Sequence, residues 1–369
     1  MVAVEQRSAL APRPRQGHVS CPPARSATIS LVALRAVMPS RCFRPHEGLA
    51  LLSLLIGGSF FAATTVFATW VFVARIIWLY PISWGLSGMA FTSLFVLGHD
   101  CGHFNLLRSK PLMVALGHFL LLPAGYPFYA WKYSHDAHHS HVNRLEFGPG
   151  IYFDNAWLPL TVEAYANIRR RNPFFALVYR WIRTCPPFGS LLHLFRCAVW
   201  AGSYRPNHRR GLYVSYLFLL GVGGVTATGL VTVGGFEALF HFWLVPAVLF
   251  QVWMGTYTFV HHTSEDIPCL EPANWLPATA QLGTVNCRLP EWISRLHFRI
   301  DIHVPHHVST AIPSYRLIEA NAALLRSAFG PQVRELPLTL GYVHRQSQRC
   351  QLWDREQGSY VSIADATQA

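Results

Sequence analysis

Residues 76–103, IIWLYPISWGLSGMAFTSLFVLGHDCGH, decide how this chain must fold. The part from Ile76 to Gly98 carries no Asp, Glu, Lys or Arg, and it runs directly into His99-Asp-Cys-Gly-His103. A transmembrane helix needs roughly 20 apolar residues, so this stretch is long enough to cross a bilayer. Two histidines four residues apart lie on one face of a helix. The segment therefore predicts a membrane helix that ends at a metal-ligand site.

The composition of the whole chain also favours a membrane environment. Of the 369 residues, 51% are hydrophobic and only 13% are charged, whereas a soluble domain carries about 25% charged residues. Such a composition excludes a disordered protein, a coiled coil and an ordinary cytosolic enzyme. The eight cysteines are scattered without a Cys-x-x-Cys pair, so we expect reduced thiols.

Long uncharged stretches predict two membrane hairpins. Residues 48–74 precede the segment above, and residues 211–236 and 238–264 form a second pair around the turn Gly234-Gly-Phe-Glu237. We place the hairpins at about 48–98 and 211–260. The apolar segment 111–131 holds His118, Pro123, Gly125 and Pro127, which favours a broken segment at the membrane interface over a straight span. The predicted fold is an all-α integral membrane protein with four transmembrane helices, interfacial helices and a cytoplasmic helical cap.

Basic residues indicate sidedness, because short cytoplasmic loops collect Lys and Arg. The two hairpin turns carry only Arg75 and Glu237, while Arg is frequent before residue 47, between 108 and 210, and after 288. We therefore expect both termini, the region 132–210 and the tail 261–369 on the cytoplasmic side. Residues 1–46 predict a basic flexible arm, with an organellar transit peptide as the alternative, and residues 47–369 a single membrane domain. No nucleic-acid partner is expected.

Two more histidine clusters follow, His135-Asp-Ala-His138-His139 and His303-Val-Pro-His306-His307. The three clusters come after the first hairpin, the interfacial segment and the second hairpin, so four crossings place them all on one side of the membrane. Eight imidazoles exceed the four ligands of a structural zinc and favour two adjacent metals. Because proline does not fit a helix interior, the third cluster is expected to begin a helix at Val304. A histidine-lined metal transporter or sensor would instead hold its ligands within the spans.

The three histidine clusters, called histidine boxes below, resemble in their order around two hairpins those of the membrane fatty acid desaturase and hydroxylase superfamily. The resemblance extends from about Leu34 to about Tyr360 and is most specific to cyanobacterial and plastid omega-6 (Δ12) acyl-lipid desaturases. Four short motifs are similar to theirs: Gly98-His-Asp-Cys-Gly-His103, Asn155-Ala-Trp157, Val260-His-His-Thr263 and Ala311-Ile-Pro-Ser-Tyr315.

The resemblance implies an oxidoreductase that uses O2 to insert a cis double bond, at Δ12 of oleoyl chains in membrane glycerolipids, giving linoleoyl chains. It also implies a thylakoid, plasma or plastid membrane, with the boxes on the cytoplasmic or stromal side. Hydroxylases, acetylenases and carotenoid oxygenases share such boxes and stay alternatives.

The resemblance further implies two iron ions and no separate side-chain nucleophile. The implied iron ligands are His99, His103, His135, His138, His139, His303, His306 and His307. A ninth ligand is expected near the start of the tail, for which we choose His262, with His261 and His297 as rivals. Asp100, Asp136 and Asp301 are expected to accept the second ring N–H of neighbouring ligands, the alternative being solvated or helix-capping acids.

Three further expectations concern the surroundings of this site. The sequence has no haem, flavin or ferredoxin motif, so electrons must come from a separate protein, ferredoxin or alternatively cytochrome b5. Five aromatic residues are candidates for the acyl-chain tunnel, with membrane anchoring as the alternative: Phe95, Phe104, Trp131, Tyr133 and Trp157. Five histidines are expected to be structural or interfacial: His118, His141, His193, His208 and His241.

Overall fold

The computed structural model describes residues 29–145, 157–199 and 204–367, and these are mostly helical. The α-helices are α1 (Leu31–Ala36), α2 (Glu47–Val73), α3 (Tyr80–Gly102), α4 (Lys110–Leu121), α5 (Phe128–His141), α6 (Val162–Arg171), α7 (Pro173–Thr184), α8 (Pro186–Val199), α9 (Arg209–Phe218), α10 (Gly224–Leu239), α11 (Val245–His262), α12 (Pro277–Leu282), α13 (Glu291–Leu296), α14 (Val304–Val308), α15 (Leu317–Leu325), α16 (Leu340–Arg349) and α17 (Ile363–Ala366). The strands are β1 (Leu160–Thr161), β2 (Val285–Arg288), β3 (Arg334–Pro337), β4 (Leu352–Asp354) and β5 (Ser359–Val361).

Helices α2 and α3 form the first predicted hairpin. The His46 ring caps α2, since its Nδ1 accepts a hydrogen bond of 3.2 Å from the Leu49 N–H. Glu47–Val73 and Ile77–Gly102 are both long and apolar enough to cross a membrane. Helix α3 is largely enclosed by other helices, whereas α2 exposes most of its surface. Helix α3 therefore provides the central support from which the first histidine box projects.

The second hairpin lies within the helical stretch Pro206–His262, which is 57 residues long and apolar enough to span a membrane. A straight helix of this length would measure about 86 Å, far more than the roughly 30 Å of a hydrocarbon core. The stretch breaks inside the predicted turn, where Gly235 adopts φ 68° and ψ −173°, a conformation that glycine tolerates best. Gly211, near the start of the stretch, and His262, at its end, both lie against α5, so the chain doubles back.

The turns of the two hairpins lie together. Arg75 in the first turn and Glu237 in the second form an ion pair through Nη1 and Oε2. Ile77–Gly102 has 26 residues, which at 1.5 Å per residue spans roughly 39 Å from this pair to the first histidine box. The histidine boxes therefore lie at the opposite end of the helices from both turns.

The apolar segment 111–131 is broken, as its prolines and glycine predict. Helix α4 ends at Leu121, Gly125 has a φ of 75°, and α5 begins directly after Pro127. With 12 residues, α4 is about 18 Å long and too short to cross a bilayer. It packs tightly on α3, because a Cβ at Gly98 would lie only 2.0 Å from Cδ1 of Leu121. This contact explains why glycine precedes the first histidine box.

Two parts of the fold differ from the expectations. The fold is not all-α, because β1, β4 and β5 form a three-stranded sheet and β2 pairs in parallel with β3. These strands have only two to four residues, too few to give an alternating pattern. Residues 29–46 are not a flexible arm, because Leu34, Met38 and Cys42 are buried against Val304 and Val308. The rest of the predicted arm, residues 1–28, lies outside the described residues.

Candidate metal centre

The predicted histidines reach one region of the molecule from four elements. His99 is in the last turn of α3, and His103 directly follows that helix. Helix α5 carries the second box, and α11 ends at His262. Helix α14 begins at Val304, as predicted, with Pro305 in its first turn. The third box is thus held by a five-residue helix that is fully buried.

These nine side chains form two groups of ring nitrogens. Within each group, one nitrogen from every residue lies within 4.8 Å of the others. The first group is His99, His103, His135, His139 and His306. The second group is His138, His262, His303 and His307. The groups are adjacent, since the rings of His139 and His307 stack with centroids 4.3 Å apart.

The distances within the groups fit shared metal ions. The Nε2 atom of His135 is 3.1 Å from the Nε2 atoms of both His99 and His139, and Nε2 of His303 is 2.9 Å from Nε2 of His262. Two imidazoles bound at about 2.1 Å from one ion and at right angles have nitrogens roughly 3.0 Å apart. Imidazole suits iron, zinc and copper. The donor set therefore fits two transition-metal ions.

The structure separates His262 from its two rivals for the ninth position. His262 belongs to the second group, but Nε2 of His261 lies 3.0 Å from Sγ of Cys287. His297 is further away, and its Nδ1 lies 2.8 Å from the hydroxyl of Tyr257. Neither rival is in a group among the described residues. The geometry thus supports the choice of His262, and metal ligation by it stays a prediction.

Only one of the three predicted carboxylates contacts a grouped histidine. Oδ1 of Asp100 is 3.2 Å from Nδ1 of His99, while its Oδ2 accepts a 2.7 Å hydrogen bond from the Ser314 N–H. Asp136 instead accepts a bond from Nζ of Lys132 at 2.7 Å. Asp301 accepts a bond from the Ser294 hydroxyl at 2.6 Å. The expected contacts of Asp136 and Asp301 are therefore wrong, because a closer cation and a closer hydroxyl engage these carboxylates.

Burial favours the neutral form of several grouped rings, and metal binding requires that form. It lowers the pKa of six of them well below the usual 6.5, and the neighbouring histidines add to this effect: His103, His135, His139, His303, His306 and His307. Desolvation disfavours the charged form of a histidine. These six rings therefore keep free lone pairs at neutral pH.

The buried His297 should make stability depend on pH. Burial lowers its pKa to about 3 from the usual 6.5, so below pH 6.5 the unfolded chain binds a proton that the folded chain excludes. The contribution of this ring to the free energy of unfolding is complete above about pH 6.5 and falls by about 1.4 kcal/mol per pH unit below that pH. We expect the melting temperature of His297→Gln to fall less steeply than that of the wild type between about pH 6.5 and 4.5. Parallel curves would contradict this assignment.

A comparison with protein families agrees with this arrangement. The model of the family described as "Fatty acid desaturase" matches residues 76–336, which include all nine grouped histidines. The chain belongs to the fatty acid desaturase family.

Curated relatives of this desaturase resemble it over most of its length. An sn-1 oleoyl-lipid 12-desaturase of Synechocystis sp. is 34% identical over 344 residues, 90% of this chain and 91% of the relative. A protein of the same name from Arthrospira platensis is 36% identical over 67% of this chain and 69% of its own. The chloroplastic omega-6 fatty acid desaturase of Spinacia oleracea is 31% identical over 84% of this chain and 67% of its own. The predicted family resemblance is confirmed.

In this desaturase a cavity reaches both histidine groups. His99, His135 and His138 form part of its wall, together with His262 and His303. The rest of its wall is largely apolar. Its apolar lining includes Phe95, Trp131, Trp157, Met254 and Ile300.

Three of the five aromatic residues predicted for the tunnel thus line the cavity, and two do not. The ring of Phe104 lies 4.8 Å from Nζ of Lys132, and Tyr133 stacks on His208 at 3.8 Å. In the motif Asn155-Ala-Trp157, Asn155 lies outside the described residues, whereas Trp157 is buried.

The histidines predicted to be structural lie outside both groups. Nδ1 and Nε2 of His118 contact the carbonyl of Val114 and the hydroxyl of Ser215. Nδ1 of His141 contacts the carbonyl of Ala137. The other three pack against neighbouring side chains, His193 at Tyr126 and Ser134, His208 at Tyr133 and His241 at Trp84. The seven cysteines that the structure describes are free, as predicted.

Two carboxamides near the centre were not predicted from the sequence. Gln281 contacts His139 and His307, and Asn286 accepts hydrogen bonds of 2.7 and 2.8 Å from the N–H groups of His303 and Val304. Both are buried. Their sequence signal is weak, namely two amide side chains in the otherwise mostly apolar stretch 276–287.

Proposed function

We propose that this protein introduces the Δ12 double bond into oleoyl chains of membrane glycerolipids and so produces linoleoyl chains. The observation that carries the proposal is the apolar cavity that runs up to the two histidine groups. The relatives named as oleoyl-lipid 12-desaturases match this chain over most of both lengths, which supports the substrate and the position.

We propose that the nine grouped histidines hold two iron ions. The close approach of their ring nitrogens and their burial support this assignment. Bound iron supplies the O2 activation that removing hydrogen from an unactivated methylene requires, because no side chain is a sufficient oxidant. Each turnover removes two hydrogen atoms from the chain and, with two electrons and two protons, converts O2 to two waters.

The remaining work of the protein is positioning. The aromatic side chains of Phe95, Trp131 and Trp157 line the cavity, where they exclude water and contact the acyl chain. The carbon that lies beside the histidine groups is the one that reacts, so the shape of the cavity determines the position of the new bond. The ring of Trp131 stacks on His135 with centroids 4.7 Å apart, which joins the wall of the cavity directly to the first histidine group.

For the membrane arrangement we propose four crossings, at about 48–98 and 211–260. The break at Gly235 and the pairing of Arg75 with Glu237 support two hairpins whose turns share one membrane surface. Basic residues are concentrated at the other end, which by the distribution of positive charge is the cytoplasmic or stromal side. We place the protein in a thylakoid, plasma or plastid membrane, with its termini and histidine groups on that side.

For the electron donor we propose ferredoxin, with cytochrome b5 as the alternative. The formal net charge of +12 and the exposed guanidinium groups of Arg169, Arg170 and Arg171 at the end of α6 favour an acidic partner. Complementary charge increases the rate at which two proteins meet.

The product identifies the reaction. The protein is expressed in a host that supplies oleoyl lipid, with ferredoxin or cytochrome b5 coexpressed, and derivatised fatty acids are analysed by gas chromatography and mass spectrometry. We expect a new Δ9,12 diene and a larger yield with ferredoxin. A hydroxylated or acetylenic product would agree with the proposed metal centre but would show that the protein catalyses a different reaction. No product, with protein and iron present and both donors supplied, would contradict the proposal.

A further inference from the structure

Gln281 lies between the two histidine groups and touches both. It is in α12, where its side chain is 6% exposed. Its Nε2 donates a 2.6 Å hydrogen bond to the main-chain carbonyl of His139, a member of the first group. Its Oε1 is 2.7 Å from Nδ1 of His307, a member of the second group. One buried amide therefore contacts both groups.

These contacts determine where the proton of the His307 ring lies. The carbonyl of His139 can only accept a hydrogen bond, so the amide NH2 of Gln281 must face it. The amide oxygen then faces Nδ1 of His307. Because this oxygen can only accept, Nδ1 of His307 carries the ring proton, and its Nε2 keeps a free lone pair. That Nε2 lies in the second group, 3.2 Å from Nε2 of His138.

We propose that Gln281 is a positioning residue that fixes the tautomer and orientation of His307 and links the second metal to the first. This inference rests on the proposed two-metal function. A group that accepts the second N–H of a histidine ligand orients the ring and increases its basicity. Here that group is a carboxamide whose other end is anchored to the chain beside His139, so a shift of one group is transmitted to the other.

The surroundings make Gln281 hard to replace by another contact. In the described residues, Nδ1 of His139, His262 and His303 has no hydrogen-bond partner. Asn286 fixes the main chain at the start of α14 but does not reach the ring of His307. Gln281 therefore supplies the hydrogen bond to Nδ1 of His307.

Three variants test the role of Gln281. Gln281→Met keeps the shape but removes both hydrogen bonds, whereas Gln281→Glu keeps an acceptor for Nδ1 of His307. Gln346→Met is the matched control, because Gln346 is also buried and its Oε1 accepts a bond from Sγ of Cys350. Purified proteins are titrated anaerobically with Fe²⁺ against a chelator, and the ⁵⁷Fe forms are compared by Mössbauer spectroscopy.

We expect Gln281→Met to weaken the binding of one of the two irons by about 10–100-fold and to change the Mössbauer signal of that iron. Gln281→Glu should retain more of this binding than Gln281→Met, because it keeps the acceptor for Nδ1 of His307 although it loses the donor to the His139 carbonyl, and Gln346→Met should leave both irons unchanged. Native affinity and spectra in Gln281→Met would overturn the inference, as would equal losses in the Met and Glu variants. A wild-type protein that binds fewer than two irons would contradict the proposed function instead.

Discussion

We expect the His306→Ala variant to form no linoleoyl product and to lose much of its bound iron. Nε2 of His306 is 3.0 Å from Nε2 of His139, and its ring packs between His99 and His103 with centroids 4.6 and 5.0 Å away. Removing it takes one nitrogen from the first group and opens a gap among three others. The loss of iron affinity should exceed the roughly 10–100-fold loss that follows the removal of a residue hydrogen-bonded to a metal ligand.

Iron content and the yield of diene measure this effect in the same membranes. The control is His141→Ala, which removes a histidine of α5 that belongs to neither group. It should retain iron and activity. Because His306 lies outside the candidate spans, both variants should insert into the membrane normally. Full iron and normal turnover in His306→Ala would remove it from the proposed metal site.

Filling the cavity should stop the reaction without removing the metals. Met254 in α11 lines the cavity and is 8% exposed. We expect Met254→Trp to reduce oleoyl conversion at least about tenfold, because the indole would occupy space that the acyl chain needs, and overpacking costs about 1–3 kcal/mol when neighbours must move. Iron content should stay at the wild-type level, since Met254 belongs to neither histidine group.

The matched control for this variant is Val252→Trp. Val252 lies two residues earlier on the same helix but is 40% exposed, so an indole there should point away from the cavity and leave conversion unchanged. The readouts are product yield by gas chromatography and iron per chain. Unchanged conversion in Met254→Trp would show that this cavity does not hold the acyl chain.

The sequence predicted the parts of this molecule that depend on long apolar stretches and on regular spacing. The hairpin turn at Gly234-Gly235 and the break after α4 follow from glycine and proline within apolar sequence. The start of α14 at Val304 follows from the proline that comes next. These features are local, so the residues that cause them are neighbours in the chain.

Features that depend on distant contacts were not predicted. Gln281 is 26 residues from His307, and no spacing rule connects them. Leu34 is covered by elements around residues 278–324. Such contacts are decided by tertiary packing, which the order of residues does not reveal.

The composition of the two histidine groups sets an order for their assembly during synthesis. Four of the five members of the first group lie within residues 99–139, so most of this group is present once the first hairpin and α5 have been made. Three of the four members of the second group lie within residues 262–307. A nascent chain therefore holds most of the first histidine group long before most of the second group has been synthesised.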